Sequence, residues 1–535
     1  MLVRRPHWLV GWMALAVLLM HFSLAQAQLF TATVTGVDNL LDAVKYGMKL
    51  AGKEDMAQQI DSLLEAFLQA EGFKGLDTKK PMGVYLEKFP ENPMQPPVVI
   101  YIPITNQNDF VEFLNRLNVT PSKEENGIRS IEIPMTGQRV GLAFRDNYAF
   151  LSLDEEAIKN PGEPTKFLTN FPANALFHVR VGLNEVPEEM KELFLSQLNE
   201  DLKNEAARKE EEDEVQYQAR SATVKLLQQA ITRLVKDAES ITVTSSLDKT
   251  GHRFTLESTM TPKAGSPLHD EIRVMSQSTS KFSSLLDNAP GYLVTHGNLN
   301  ASIRTELDKL LDNVVKKAIE EEKSIVKKAI AEKVYQALEP TLKTKNYEFV
   351  LSLKADGNTG PLTGLTAIQV KEGKKIEELI KGFVAEMKDK EREAIQLDTE
   401  KLNGVNLHVV TVPVEDEGAR EMAEVFGEAK ITLAFHDDYI IAALGKNANQ
   451  ELKKFISGTT GTLKPAPMQM EVHLKPFARF IKEAPVREVM EKVLSEPGSD
   501  KMTMTMTGGD KLQFKVDVST YLIKLGVAID EAKNP

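Results

Sequence analysis

The sequence predicts an α+β fold that arose by tandem duplication, with mostly antiparallel sheets covered by long amphipathic helices and a pseudo-twofold relation between the copies. Three observations predict it. A fifteen-residue stretch, Arg139–Leu153, recurs at Lys430–Leu444 with six identical positions. Strands come mostly in close pairs, which favours hairpins and antiparallel pairing. Several long segments place apolar residues three and four positions apart, as an amphipathic helix requires.

The recurring stretch predicts a β-hairpin. Asp146-Asn147 and Asp437-Asp438 stand at its polar centre, and Asp and Asn tolerate the positive φ of a two-residue turn. Both faces of the strand pair are apolar, so we expect burial on both sides and a position inside the sheet. The turn predicts these cross-strand pairs: Phe144 with Ala149, Leu142 with Leu151, Val140 with Leu153, Phe435 with Ile440, Leu433 with Ala442, and Ile431 with Leu444.

The first half of the chain predicts strands and helices in alternation with hairpins. A helix over residues 39–69 should break near Gly52, and Asn106 or Asn108 should cap a helix over 109–117. Two helices should occupy 187–236. The predicted strands cover 34–37, 82–86, 98–104, 128–133, the hairpin, 175–182, and a second hairpin at 241–247 and 253–260.

The second half repeats this order after a polar stretch rich in Ser, Pro and Gly. A long helix is expected over 301–338, with Pro340 marking its end. Further helices are expected at 376–387 and 449–456. The predicted strands cover 293–295, 349–353, 363–370, 405–410, the hairpin, 468–474, 502–507 and 512–518. The resulting domains are a signal peptide (1–27), repeat 1 (28–265), a linker (266–284) and repeat 2 (285–535).

The N-terminus predicts export to the periplasm or the extracellular space. Arg4 and Arg5 precede a mostly apolar run from Leu9 to Leu24, and Ala25-Gln26-Ala27 is a small-x-small cleavage site. The alternative is an uncleaved membrane anchor. No later segment is long and apolar enough to span a bilayer, so we expect no transmembrane segment after cleavage.

Composition limits the chemistry. The 535-residue chain has no cysteine, which removes disulfides, thiol catalysis and Cys-type zinc sites. Its net charge of −12 becomes −14 once Arg4 and Arg5 are removed. Such an acidic chain is a poor partner for nucleic acid, and we predict none.

No motif predicts a catalytic, cofactor-binding or metal site, and we assign none. The histidines of the mature chain are scattered without metal-ligand spacing. Asp248-Lys-Thr-Gly251 is similar to a P-type ATPase phosphorylation motif, but its position predicts a hairpin tip. Ser278-x-x-Lys281 and Ser324-x-x-Lys327 match a β-lactamase pattern in the wrong order relative to Lys-Thr-Gly. Asp146 and Asp437 could bind a cation, but a tight turn explains them better.

The long helices allow a different hypothesis. An apolar stripe against a sheet can line a groove for a lipid or another apolar ligand, although such a stripe more often belongs to a core. Met502, Met504 and Met506 alternate with Thr in one strand. Their flexible thioethers suit an adaptable apolar wall and an ordinary core equally well.

The segment Phe171–Val181, a Phe-Pro-Ala-Asn-Ala run followed by a strand, resembles repeated Pro-Ala-x-Ala-strand segments of large secreted or periplasmic proteins of planctomycete-type bacteria. Leu286-Asp-Asn-Ala-Pro290 is similar. The group carries no established activity, so the resemblance implies only an exported protein with a duplicated fold.

We therefore predict an exported, non-enzymatic protein that binds or scaffolds a protein partner or an apolar small molecule. Two alternatives stay open: a carrier of an apolar ligand such as a lipid in a sheet–helix groove, and a hydrolase with a site that no motif reveals. A carrier should show an enclosed apolar cavity, a hydrolase a cleft with perturbed titratable groups, and a scaffold a large exposed apolar patch.

Overall fold

The computed structural model confirms the α+β class, with helices and antiparallel strands throughout. The predicted signal peptide, residues 1–27, lies outside the residues that the structure describes, as does part of the helix predicted over 301–338. The described residues are 29–68, 71–86, 97–132, 138–164, 168, 171–208, 212, 214–299, 304–305, 307–308, 316–321, 325–357, 360–413, 417–458 and 461–533.

The helices are numbered in chain order. They are α1 Val37–Leu50, α2 Glu54–Leu68, α3 Gln107–Arg116, α4 Glu156–Lys159, α5 Glu188–Ala206, α6 Glu214–Asp237, α7 Pro267–Met275, α8 Lys316–Glu321, α9 Ile325–Leu342, α10 Gly373–Glu386, α11 Asp389–Arg392, α12 Glu417–Phe426, α13 Ala448–Ile456, α14 Ala484–Val493 and α15 Tyr521–Lys533.

The chain divides into two compact units. Unit 1 comprises the described residues within Met1–Leu195, Val235–Lys263 and Val518–Glu531. Its strands pair antiparallel in the order β4-β5-β6-β3-β2-β1-β7-β8-β9. They are β1 Phe30–Val34, β2 Met82–Leu86, β3 Val98–Pro103, β4 Arg129–Glu132, β5 Arg139–Arg145, β6 Tyr148–Ser152, β7 Ala175–Gly182, β8 Ala238–Asp248 and β9 Arg253–Pro262.

Unit 2 comprises Ser196–Leu234, Ala264–Asp517 and Ala532–Pro535. Its strands pair antiparallel in the order β13-β14-β15-β16-β12-β11-β10-β17-β18, and β19 follows in the chain. They are β10 Gly291–Asn298, β11 Asn346–Ala355, β12 Leu362–Gln369, β13 Ile395–Leu402, β14 Val405–Thr411, β15 Lys430–His436, β16 Tyr439–Leu444, β17 Met468–His473, β18 Lys501–Thr507 and β19 Leu512–Ser519.

The two units share one order of strand pairing. In unit 1 the series runs β4-β5-β6-β3-β2-β1-β7-β8, and in unit 2 the series β14-β15-β16-β12-β11-β10-β17-β18 follows the same path. The recurring stretch forms β5–β6 in one unit and β15–β16 in the other. The tandem duplication itself stays a prediction from the repeated residues.

The recurring stretch forms the hairpin that the sequence predicts. Phe144 pairs with Ala149 and Leu142 with Leu151 in the first copy. Asp146 and Asn147 adopt φ values of 50° and 61°, as a two-residue turn with positive φ requires. Both hairpins lie between other strands of their sheets, as predicted.

The second hairpin keeps the predicted pairs but makes its turn differently. Phe435 pairs with Ile440 and Ile431 with Leu444, yet Asp437 and Asp438 do not adopt positive φ. The N–H of Asp438 instead donates to His436 Nδ1 over 3.1 Å. This side-chain bond replaces the turn geometry that we expected.

Several helix predictions agree with the structure. The predicted break falls at Gly52, with φ +69° between α1 and α2. Asn106 caps α3, because its Oδ1 accepts the N–H of Asp109 at 2.9 Å. A glycine provides the positive φ at the first site, and a short amide side chain satisfies a free helix N–H at the second.

Other segments differ from the predictions. The stretch 266–284, for which we predicted a linker, contains α7, capped by Ser266, and its Phe282 is buried in the unit 2 core. Helix α9 runs two residues past Pro340 to Leu342. The sequence also did not predict β13 or α12. The strand is mostly polar, which concealed it, and α12 lies between β14 and β15, where the first half of the chain has only a short connection between the corresponding strands β4 and β5.

Candidate functional site: two open apolar sheet faces

One face of the unit 1 sheet is apolar and open. Along β3, Val99 and Tyr101 are buried, whereas Ile100 points to the other side and keeps 43% of its surface exposed. The row of residues paired with Ile100 crosses seven strands, so at ~4.8 Å per strand it is on the order of 29 Å long. From β6 to β9 it consists of Leu151, Ile100, Val84, Ala32, Val179, Val243 and Ser258.

Packed elements border this open face. On one side, Phe110 of α3 meets Phe144 edge-on, with ring centroids 6.1 Å apart. On another, Val186 and Met190 pack against Leu86. Leu151, at one end of the row, packs against the core cluster that contains Phe110, and the rest of the row stays half-buried or exposed. The open face of unit 1 is therefore an apolar surface with packed margins.

Unit 2 has an equivalent open face. Leu351 keeps 42% of its surface exposed, whereas its neighbours Val350 and Ser352 in β11 are fully buried. On the next strands Met468 pairs with Met506 and Met470 with Met504, and all are half-buried. The row equivalent to that of unit 1 runs from β16 to β18 through Ala442, Thr366, Leu351, Leu293, Met470 and Met504.

The side chains of both rows are aliphatic or thioether groups, with Ser or Thr at single positions. Neither row contains Trp, Tyr or Arg, the residues that dominate protein–protein hot spots. From the sequence, Met502, Met504 and Met506 could belong either to a core or to an adaptable apolar wall. The structure places them, half-buried, on the side of the sheet that stays open. The alternation of Met with Thr in β18 was thus the sequence feature that indicated the open face of unit 2.

Helix α1 adds uncovered apolar surface to unit 1. Leu40 and Val44 on its apolar stripe are exposed, and none of its residues is buried. Polar contacts hold the helix instead. The Tyr46 hydroxyl lies 2.8 Å from both His252 Nδ1 and Thr520 Oγ1. The amphipathic pattern that favours a core in the sequence therefore belongs to an open stripe in this helix.

The opposite face of the unit 1 sheet is a closed core of tyrosines. Tyr85, Tyr101 and Tyr148 are nearly fully buried, and Thr33 Oγ1 lies 2.6 Å from the Tyr101 hydroxyl oxygen. Burial raises the pKa of Tyr101 and of Tyr148 to about 12. These phenols stay protonated at neutral pH, so they serve as hydrogen-bonding core residues rather than as acids or bases.

A buried polar cluster in unit 2 brings together residues that the sequence did not connect. Lys381 Nζ lies 2.7 Å from Glu377 and 2.6 Å from Asp398. Asn406 donates to Glu377 over 2.7 Å. A β-bulge at Asp398, where φ is 51°, turns its N–H toward His408 Nδ1 at 3.0 Å.

Glu377, Asp398 and His408 could in principle hold a metal ion, but the Lys381 ammonium already lies between the two carboxylates. His408 Nε2 lies 3.2 Å from Glu377 without hydrogen-bond geometry, so this contact is electrostatic. Burial lowers the pKa of His408 despite that carboxylate. Burial also opposes ionisation of Glu377, yet its bonds to Asn406 and Lys381 leave its pKa lowered. The cluster is therefore an internal ion pair with a neutral histidine.

A second cluster in unit 2 holds His473 between two carboxylates. Nδ1 lies 3.4 Å from Asp500 and Nε2 lies 3.1 Å from Glu471, and Lys501 also contacts Glu471 at 3.0 Å. The hydrogen bond to Asp500 is the main reason that the pKa of His473 is raised. Burial opposes ionisation of Asp500, but bonds from His473 and the Lys475 N–H leave its pKa lowered.

This cluster predicts a pH dependence of stability. The raised pKa of His473 stabilises the fold below about pH 6.5, and this contribution is lost as the pH rises through the raised value. Since His473 is partly exposed, we expect it to contribute a loss of roughly 0.5 kcal/mol between about pH 5.5 and about pH 8, read as the difference between the natural protein and His473→Gln because the lowered pKa of His408 acts in the opposite direction. Urea unfolding at both pH values measures it. His473→Gln should abolish this loss, whereas His269→Gln should keep it. An unchanged profile in His473→Gln would contradict the prediction.

The polar segments at Asp248–Gly251 and Asp437-Asp438, which from the sequence alone were possible sites, form hairpin turns. The Asp248 carboxylate accepts the N–H groups of Thr250 and Gly251 at 3.1 and 2.8 Å, so the Asp-Lys-Thr-Gly sequence forms a hairpin tip. Asp437 pairs with Lys374 at 3.2 Å and Asp438 with Lys371 at 3.4 Å. Lysine side chains thus neutralise the second tip, which explains its carboxylates without a bound cation.

No protein-family model, curated protein or solved structure matches this chain. Among the residues that the structure describes, no helix has the length and apolar character needed to cross a membrane.

Proposed function

We propose that this protein is an exported binding protein for a ligand with aliphatic chains, such as a lipid, and that the open sheet faces hold those chains. The observation that carries the proposal is the uncovered apolar row in each unit, around Ile100 and around Leu351. Export rests on the signal peptide predicted at residues 1–27.

The open faces match the exposed apolar patch that we expected of a scaffold rather than the enclosed cavity that we expected of a carrier, but the chemistry of the rows favours acyl chains over a protein partner. Contiguous exposed apolar surface marks a binding site, because soluble proteins otherwise cover it. A protein interface is enriched in Tyr, Trp and Arg, and these are absent from both rows. Methionine pairs such as Met470 and Met504 adapt to chains of different shape, since the thioether side chain is flexible and polarisable.

The test is displacement of a fluorescent fatty acid from the purified mature protein. Lysine at the middle of each row should weaken binding at least about tenfold, because a charge would have to be buried beside the chain. We therefore expect reduced affinity in Ile100→Lys and Met470→Lys, and the greatest loss in the double variant.

Leu193→Lys is the matched control, because Leu193 is 59% exposed on α5 and lies outside both rows. It should bind as the natural protein does. Circular dichroism and thermal unfolding establish that each variant is folded. Equal affinity of the natural protein and the folded double variant would overturn the proposal, as would a complete lack of fatty-acid binding.

A further inference from the structure

A serine and a histidine that are distant in the sequence meet at a cavity in unit 2. Ser278 lies just after the end of α7, and His296 lies in β10. Ser278 Oγ is 2.9 Å from His296 Nδ1. The cavity has a volume of about 940 Å³, and Ser278 is part of its wall. His296 is only 2% exposed, so it contacts this space mainly through the serine.

The hydrogen bonds define which nitrogen of His296 carries the proton. Nε2 lies 3.3 Å from the carbonyl oxygen of Pro465, and a carbonyl oxygen can only accept. In the tautomer that this contact favours, Nε2 carries the proton and Nδ1 presents its lone pair to Ser278. A base that accepts from a serine and is oriented through its other nitrogen is the arrangement that activates a nucleophilic hydroxyl.

The backbone around this pair is held in place. Glu348 is buried and accepts the N–H groups of Lys281 and Phe282 at 3.0 and 3.1 Å. The N–H of His296 donates to Pro467 O at 2.8 Å. The segment after Ser278 and the backbone of His296 are thus each held by hydrogen bonds, and a catalytic group needs such support.

The segment also offers donors for an oxyanion. Thr279 and Ser280 follow Ser278 and line the same cavity. Among the described residues, none accepts a hydrogen bond from the backbone N–H of either residue. The N–H after a nucleophilic serine is a common oxyanion donor in hydrolases.

We propose that Ser278 and His296 form a nucleophile–base pair that hydrolyses esters with an apolar group. Ser278 Oγ attacks the ester carbonyl carbon, and its proton passes to His296 Nδ1. The bond to the leaving alkoxide then breaks as Nδ1 returns the proton to that oxygen. Water hydrolyses the acyl-serine and releases the acid. Apolar residues on the cavity wall, including Phe455, Ile456 and Leu463, fit the apolar part of the substrate.

The Ser278 hydroxyl oxygen also lies 2.9 Å from Met275 O, so its single proton can point to either acceptor. Rotation about its C–O bond redirects the same proton to Nδ1 without moving the oxygen. This activity is separate from the proposed binding of acyl chains, because none of its residues belongs to the row of either open face. Loss of one would leave the other unchanged.

The experiment treats the full mature protein with a fluorophosphonate probe and maps the modified residue by mass spectrometry. Hydrolysis of p-nitrophenyl butyrate is measured in parallel. We expect the probe on Ser278, and a loss of hydrolysis of at least about 100-fold in Ser278→Ala. Ser276→Ala is the matched control, since Ser276 lines the same cavity and its hydroxyl donates to the Arg273 carbonyl rather than to a histidine; it should keep both signals.

A structural role for the pair makes the opposite prediction. In that case Ser278→Ala would lower the melting temperature, while the folded natural protein would neither react with the probe at Ser278 nor hydrolyse the ester. Either a lack of phosphonylation at Ser278 or unchanged hydrolysis in Ser278→Ala would overturn the proposal. Fatty-acid binding by Ser278→Ala shows separately whether the proposed binding function holds.

Discussion

Phe150→Ala is expected to lower the free energy of unfolding of unit 1 by about 3–5 kcal/mol. Phe150 lies in β6, between β5 and β3, and is fully buried. It packs with Tyr85, Tyr101, Tyr148 and Ile158 in the closed core. Removal of the ring loses its transfer free energy and leaves a cavity, because strands on both sides prevent β6 from collapsing.

Urea unfolding of the natural protein and the variant measures this loss, with tyrosine fluorescence as a reporter of the tyrosine-rich core. Leu153→Ala is the control, because Leu153 follows β6 and is exposed; it should change stability by less than about 0.5 kcal/mol. A loss below about 1 kcal/mol in Phe150→Ala would show that this face is not the core of unit 1.

The hairpins could be predicted from the sequence because their information is local. Asp146-Asn147 specifies a two-residue turn, and once the turn is placed the pairing of Phe144 with Ala149 follows from strand geometry. The capping of α3 by Asn106 and the break at Gly52 are local in the same way. At the second tip, a bond from the Asp438 N–H to His436 changed the turn without changing the pairing.

The open faces could not be predicted because exposure is not local. Val99 and Ile100 are both β-branched and apolar, and nothing in their sequence tells which one a helix will cover. Ile158 of α4 packs on the Val99 side, whereas α3 and α5 border the Ile100 side, and these helices come from other parts of the chain. The alternation of Met with Thr in β18 indicated that one side of the strand would be apolar, but not that it would be open.

The polar clusters could not be predicted because their residues come from distant elements and meet only when the strands pair in the correct register. Glu377 comes from α10, His408 from β14 and Asp398 from a β-bulge, and a bulge has no dependable sequence signal. In the sequence, Ser278 belongs to a Ser-x-x-Lys match and His296 is one of several scattered histidines, but nothing there connects the two residues. Their contact follows only from the way in which the segment after α7 crosses β10, in a stretch whose composition predicted a linker.

Glu377→Gln should destabilise unit 2 by about 2 kcal/mol, whereas Asp398→Asn should change its stability by less than about 0.5 kcal/mol. The two carboxylates contact the same Lys381 ammonium at nearly equal distances, 2.7 and 2.6 Å. Their side chains differ in exposure, at 7% for Glu377 and 51% for Asp398. Water screens the exposed pair, so loss of its charge costs little.

Glu377 has no such screening. Its loss of charge weakens the bonds to Lys381 and Asn406 at a carboxylate that is only 7% exposed. Urea unfolding at low and high salt separates the two pairs. We expect the effect of Asp398→Asn to vanish at about 1 M salt and that of Glu377→Gln to persist, because buried charges are screened much less. Equal effects of the two variants would mean that distance rather than burial determines the strength of these ion pairs.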